Sequence, residues 1–243
     1  MTAPRYPELS LSVILPAYNE AVIVESTVRR SVNSLRGMVG VFELIIVNDA
    51  SLDRTGEICE QLAREFPEIV VVHNEKNLKQ GGSLLKAFAL ARHEWVTHNG
   101  MDYPFDFSDL PPLLDHRDEA DVLVARRLAY PGTSLPRRWV STVHRSLIRQ
   151  VFRVPISDWG FIQLYRRSVL QSQRVFSRAT AFAMPERIIR AHRAGLRVIE
   201  IPVDYHERTS GVSSSASRKN IEATLIDVAR LWLEFRQDDL FRR

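Results

Sequence analysis

Four short segments of this chain hold more acids and amides than a chain reversal requires. They read PAYNE (16–20), NDASLDRT (48–55), NEKNLKQGG (74–82) and HNGMDYPFD (98–106). Each follows a short apolar or β-branched run, so each stands where a strand ends. Between them they offer Asn19, Glu20, Asn48, Asp49, Asp53, Asn77 and Asp102. Side chains of these types can hydrogen-bond a base or ribose, and carboxylates can hold a divalent cation that bridges a diphosphate. Two other phosphate devices are absent. PAYNE contains no glycine, so the first strand–turn lacks the dinucleotide fingerprint, and no G-x-x-x-x-G-K-[ST] loop occurs. A dehydrogenase and a P-loop NTPase are thereby disfavoured.

Such loops need elements that bring their ends together. Strand-like runs at 11–15, 42–47, 69–73, 95–98 and 121–125 alternate with helical patterns. The helical faces are Val24, Val28, Val32 and Leu35, then Ile58, Leu62 and Phe66, then Leu84, Leu85, Phe88 and Ala91. This alternation implies parallel strands with right-handed crossovers, and ligands outside the strands' carboxyl ends. The second half is less regular. A helix is expected over 137–152, a strand at 161–165, a helix started near Pro185 and ended by Gly195, and a strand at 196–203. A Ser-rich loop (206–219) precedes a last amphipathic helix with Ile221, Leu225, Val228, Trp232 and Phe235 on one face.

Composition bounds the answer. A chain of 243 residues, 45% hydrophobic, can bury a sizeable core. Its net charge of +4 is too mild for a nucleic-acid binder, and no nucleic-acid partner is expected. The single Cys59 excludes a disulfide framework and a cysteine zinc site. No run approaches the ~20 apolar residues of a spanning helix. No apolar signal core precedes Leu9. The expected location is the cytoplasm, extended to a peripheral place on the inner face of the membrane.

The runs SVILPAYNEA (12–21), ELIIVNDASLDRT (43–55), NEKNLKQGGSLLKA (74–87), DWGFIQLYRRSVL (158–170) and AGLRVIEIPVDYHERTSGVSS (194–214) come in an order that resembles the family-2 glycosyltransferases of GT-A fold. The nearest flavour is the polyprenyl- or dolichyl-phosphate sugar transferase group. The resemblance implies one Rossmann-like α/β domain over 1–243 with a mainly parallel sheet flanked by helices. Residues 1–121 would be the donor half, 122–217 the acceptor half with a basic helix at 137–152, and 218–243 a C-terminal amphipathic helix. It implies inverting transfer from a UDP- or GDP-linked sugar. Pro16, Ala17, Tyr18, Glu20, Asn48, Asp49, Asn77, Gly81 and Met101 would line the nucleotide site. Asp102, at the second acid of the family's D-x-D, would meet a weakly held Mg²⁺ or Mn²⁺ beside the diphosphate. Arg208 would lie on a flexible loop near the same phosphates, and Asp158 would be the acceptor-side acid.

The chain departs from that pattern. Asn48-Asp49 stands where two acids are usual, Ala50 replaces a glycine, and Gly100 replaces the first acid of D-x-D. Asp106 and His98 are the other groups near enough in sequence to assist a metal. Asp53 reads equally as a helix cap, and Glu186, after Pro185, as an acid favoured by a helix dipole.

Residues 122–157 contain seven arginines, at 126, 127, 137, 138, 145, 149 and 153, and no acid. Trp139, Val140, Val143, Leu147 and Val151 recur there at helical spacing. This is either a surface helix with its apolar stripe on the core, or a helix that lies on an anionic membrane or grips an acceptor phosphate. A polyprenyl phosphate acceptor needs no base. A hydroxyl acceptor needs an acid such as Asp158 to take its proton. A non-catalytic binding module on the same fold is the rival from another class.

Overall fold

The computed structural model describes residues 3–102, 105–128, 135–177, 182–203 and 218–241, with backbone alone at 135–141, 144, 218–221 and 241. Valine- and isoleucine-rich runs make the sheet, because branched side chains pack well on a pleated surface covered on both sides. Its strands are β1 (Tyr6–Ala17), β2 (Val39–Asn48), β3 (Ile69–His73), β4 (Trp95–His98), β5 (Val122–Arg127), β6 (Gln163–Arg166) and β7 (Val198–Val203), in the order β3-β2-β1-β4-β6-β5-β7. All neighbours run parallel except β6, which lies antiparallel between β4 and β5. The fold is thus the single α/β domain expected.

The helices are α1 (Val24–Arg36), α2 (Thr55–Glu65), α3 (Lys79–Phe88), α4 (Pro111–Asp115), α5 (Leu135–Phe152), α6 (Arg167–Ser172), α7 (Ala183–Arg193) and α8 (Arg218–Phe241). On one side of the sheet, Val28, Val32 and Leu35 of α1, Leu62 of α2 and Leu113 of α4 meet Leu11, Val13, Leu44 and Leu123. On the other side, Leu84 and Phe88 of α3, Ile148 of α5, Ile188 of α7 and Leu231 of α8 meet Ile14, Ile45, Val96 and Val124.

One open reading is narrowed and one expected face is corrected. On α5, Val143 is 60% and Leu147 37% exposed, while Ile148 is the buried contact. At Val143 and Leu147 the apolar stripe therefore faces outward, while Val151 is half-buried; Trp139 and Val140 lie outside the described side chains. On α8 the buried line is Thr224, Val228 and Leu231, whereas Leu225 and Trp232 are exposed. That helix is apolar on two sides, so its sequence pattern does not single out one. Among the described residues no helix is long and apolar enough to cross a membrane.

The strand order reverses between β1 and β4. β2 and β3 extend the sheet one way from β1, and β4 begins the other half. β1 and β4 pair only from Leu11↔Trp95 to Ile14↔His98, closed by Asn99 N donating to Ile14 O. Beyond Ile14 the two chains part. Pro16, which has no N–H to give, falls in that parted stretch, where β4 no longer asks for one. Such a switch point is where open α/β sheets bind ligands.

Candidate active site

The loop after β1 is laced to the loop after β2. Asn19, with a left-handed φ of 56°, accepts Leu52 N on Oδ1 at 2.8 Å and donates its own N to Ser51 Oγ. Glu20 N donates to Thr55 Oγ1 at 2.8 Å, and Ala21 N to Asp53 Oδ2. The other Asp53 oxygen accepts Thr55 N, so Asp53 caps α2 and ties the two loops, and its capping reading accounts for it. Thr27 of α1 donates to Met101 O and fixes the loop after β4.

What faces the switch point is acidic. The Glu20 carboxyl is pushed above its ordinary value by burial first, then by the nearby charges of Asp102 and Asp53. Glu20 and Asp102 therefore approach each other from β1 and β4 across the parted strands. Among the described residues no group of three His, Cys, Asp or Glu is arranged to hold a metal alone. Crowded carboxylates without a complete ligand set fit a cation that arrives with a diphosphate and takes phosphate oxygens as its remaining ligands.

Asp49 is buried at the end of β2. Its Oδ1 accepts Asn74 Nδ2 and Leu78 N, both at 2.8 Å, which aims the carboxylate with Oδ2 left over. Asn48 is otherwise engaged. Its Oδ1 accepts Ser51 N and its Nδ2 meets His73 Nδ1 at 2.9 Å, with His73 Nε2 on Glu60 Oε1. Asn77 accepts Lys79 N at the start of α3, and Gly81 is buried in that helix's first turn. The side chains of Ala17 and Met101 sit in the core, so any contact these two make with a ligand is through backbone. Pro16 is partly covered, and Tyr18 is 43% exposed beside them.

The two reserve metal ligands are corrected. His98 is buried with Nε2 against Gln163 Oε1 at 2.8 Å, and burial holds its pKa below the ordinary value. Asp106 caps the short 3-10 turn Phe107–Asp109 and pairs with Arg30. Neither is aimed at the switch point. Glu186 is likewise structural: it accepts Phe176 N and Ser177 N and pairs with Arg190.

On the acceptor side, Asp158 is 1% exposed. Arg127, from the end of β5, reaches it with Nε on Oδ2 and Nη2 on Oδ1, each at 2.7 Å. Burial alone would raise the Asp158 pKa, but the Arg127 bonds and charge outweigh it and hold the carboxyl below its usual range. Arg145 of α5 adds to that pull. Glu200 of β7 accepts Ser157 N and Asp158 N and so seats the turn, while the Arg127 guanidinium lies 5.0 Å from the Phe161 ring centroid. Arg127 and Glu200 were the residues here that sequence reasoning did not single out. An Arg-Arg pair ending an apolar strand was the available signal for the first; nothing in the pattern marked the second. Arg208 and its loop lie outside the described residues, as do the Arg137 and Arg138 side chains.

Comparison with known proteins bears on the family and the fold. Glycosyltransferase AglD of Haloferax volcanii is 32% identical over 209 residues, covering 82% of this chain and 34% of that protein. The undecaprenyl-phosphate 4-deoxy-4-formamido-L-arabinose transferase of Pseudomonas aeruginosa is 26% identical over 216 residues, 88% of this chain and 62% of that one. The chain thus spans about a third to under two thirds of these relatives. In structure it resembles glucosyl-3-phosphoglycerate synthase of Mycobacterium tuberculosis in complex with Mn²⁺, UDP and glucosyl-3-phosphoglycerate. The TM-score is 0.65 over 91% of this chain and 81% of that one, at 19% identity, which speaks to fold. Residues 12–174, two thirds of the sequence and all four strand-end loops, match the profile of glycosyl transferase family 2, and the chain belongs to that family.

Proposed function

We propose that this chain transfers a sugar, with inversion, from a nucleoside-diphosphate sugar to a polyprenyl phosphate at a membrane surface. The observation that carries the choice of acceptor is the Arg127–Asp158 pair. A general base must keep an oxygen for the incoming proton and a pKa near the working pH. Asp158 has both oxygens on a guanidinium and a pKa held down, so it is a poor base. An acceptor that is already an anion needs none, and the same pair presents a cation at the carboxyl end of β5. The relatives named for undecaprenyl phosphate point the same way.

On the donor side, Asp49 offers its spare oxygen to the base or ribose, and the 16–20 loop supplies backbone around the nucleoside. Asp102 would hold a divalent cation together with the donor's diphosphate, and such a cation supplies neutralisation of the charge that grows on the leaving phosphate. Arg208, which lies outside the described residues, would by the family resemblance add a second positive charge there. The exposed Val143 and Leu147 of α5, interleaved with Arg145 and Arg149, support that helix as the face turned to anionic lipid.

The test is a transfer panel of UDP- and GDP-linked sugars, with undecaprenyl phosphate or a soluble glycan as acceptor, in Mn²⁺ or EDTA. Metal-dependent transfer to the lipid phosphate is expected. Transfer only to the glycan hydroxyl would overturn the acceptor reading, and no turnover with any donor would favour a binding module.

A further inference from the structure

β4 carries the donor loop, Asn99 to Asp102, directly after its last residue, His98. β6 is entered from the acceptor turn, Asp158 to Phe161. The two strands are antiparallel neighbours, with Thr97 opposite Leu164 as the last paired positions. One step further along that register sets His98 opposite Gln163, and their side chains meet at 2.8 Å.

The polarity of this contact is fixed by what Gln163 does with its other end. Its Nε2 donates to Trp159 O and Phe161 O, each at 3.2 Å. The amide oxygen must then accept, so His98 bears a proton on Nε2 and donates it. Thr97 adds a parallel strap by donating to Gln163 O at 2.9 Å. Both side chains are buried, and Phe88 closes over His98 edge-on at 6.2 Å between ring centroids. On the donor side the next residue is equally fixed: Asn99 donates to Phe105 O at 2.7 Å and accepts Gly100 N. Hydrogen bonds thus run from the His98 side chain, on the residue before the donor loop, through the Gln163 amide to two carbonyls of the acceptor turn. Hydrogen bonds in such a dry setting are stiff, because neither group has water as an alternative partner.

We infer that His98 and Gln163 are positioning residues that lock the donor loop carrying Asp102 to the acceptor turn carrying Asp158. The two half-sites then sit at a fixed separation, and filling one orders the other. The inference rests on the proposed donor and acceptor sites but adds residues that touch neither ligand.

The experiment reads the coupling between two binding events by calorimetry. UDP or GDP with Mn²⁺ fills the donor site, and farnesyl phosphate serves as acceptor probe. The wild type should bind farnesyl phosphate at least ~5-fold more tightly when the nucleotide site is full, the low end of ordinary site–site coupling. His98→Leu should reduce that ratio to near one while leaving each ligand's separate Kd within about twofold. His98→Gln, whose amide can still donate to Gln163, should restore the ratio. A merely structural role would lower the melting temperature without touching it. Gln163→Met, nearly isosteric, carries the test if His98→Leu does not fold. Full coupling in His98→Leu or Gln163→Met, or no coupling in the wild type, overturns the inference. If neither nucleotide binds the wild type, or if Asp102→Asn binds nucleotide and Mn²⁺ as well as wild type does, the donor reading itself fails and takes the inference with it. Loss of nucleotide–metal binding in Asp102→Asn, with coupling intact in His98→Leu, sinks the inference alone.

Discussion

Replacing Asp158 by Asn separates a clamp from a base. The carboxylate is almost fully buried and accepts two guanidinium hydrogen bonds at 2.7 Å, plus the Arg127 backbone N at 3.2 Å. Arg127 is itself only 18% exposed at the side chain, so solvent screens the pair little. Removing one partner of a buried pair typically costs ~3–5 kcal/mol. An amide keeps one acceptor, which puts Asp158→Asn near the low end, about 3 kcal/mol. At ~2–4 °C per kcal/mol for a domain of this size, the melting temperature should fall by roughly 6–12 °C. The pH dependence has a definite sign. A carboxyl whose folded pKa is depressed contributes stability that is present above its unfolded value, ~3.9, and is lost as pH falls through the folded value. The gap between wild type and variant should therefore be flat from pH 7 to about 5 and narrow only below about 4. In the transfer assay the variant should raise KM for lipid phosphate more than it lowers kcat. The clamp reading is refuted if the variant melts within about 1 °C of wild type and loses kcat alone, with the acidic limb of the pH–rate profile gone. That is the behaviour of a base.

Asp49→Ala should weaken binding of the nucleoside diphosphate by ~1.5–3 kcal/mol, the cost of losing a charged hydrogen bond, with the fold intact; unchanged affinity by calorimetry would remove Asp49 from the site. Wild type should bind Mn²⁺ weakly without nucleotide, and Gly100→Asp should tighten it by supplying a second carboxylate; tight binding to nucleotide-free wild type would contradict a cation shared with the diphosphate. Ala50 has a left-handed φ of 58°, which costs an L-residue ~1–2 kcal/mol, so Ala50→Gly should stabilise by about 0.5–1 kcal/mol in urea unfolding after glycine's extra entropy; a loss of stability would show that neighbouring contacts, not backbone strain, decide there. Changing Arg137, Arg138, Arg145 and Arg149 together to Gln should sharply reduce co-sedimentation with anionic vesicles at low salt while nucleotide affinity stays near wild type, since such arginines contribute ~1 kcal/mol each at a charged surface; a wild type that ignores these vesicles would end the membrane reading of α5.

The parallel core was legible because buried strands announce themselves. Residues 69–73 and 95–98 are apolar, β-branched or aromatic runs bounded by polar loops, and they are β3 and β4 to the residue. β1 begins earlier than its apolar run, at Tyr6, since the polar residues Glu8 and Ser10 alternate with core positions Leu9 and Leu11. The placement of β6 was not legible. That Gln163–Arg166 inserts antiparallel between β4 and β5 is decided by long-range pairing, and its four residues carry no mark of direction. α4 and α6 are five and six residues long, too short to show a helical period. The face of α8 was misread, and that of α5 stayed open, for one reason: apolar residues that serve a surface repeat at the same spacing as those that serve the core. In the candidate site, strand-end position picked out the loops that border the switch point. It could not tell which polar side chain in a loop holds the loop and which is left for a ligand.

That last distinction follows from what donates to each acid. Asp53, Asp106, Asp158, Glu186 and Glu200 all accept backbone N–H groups of their own or facing turns, and Asp49 does so on one oxygen alone. A carboxylate so occupied has its charge answered and its orientation set by the fold. Glu20 and Asp102 come from two strands that have ceased to pair, and the Glu20 carboxyl is raised by burial first and then by the charges of Asp102 and Asp53. Repulsion of this kind is unfavourable in the empty protein, and a protein gains nothing from it unless a positive group arrives. With Gly100 in place of a second D-x-D acid, a cation held here would take its remaining ligands from the diphosphate of the donor. On that account metal and nucleotide should bind as a pair, each weakly without the other.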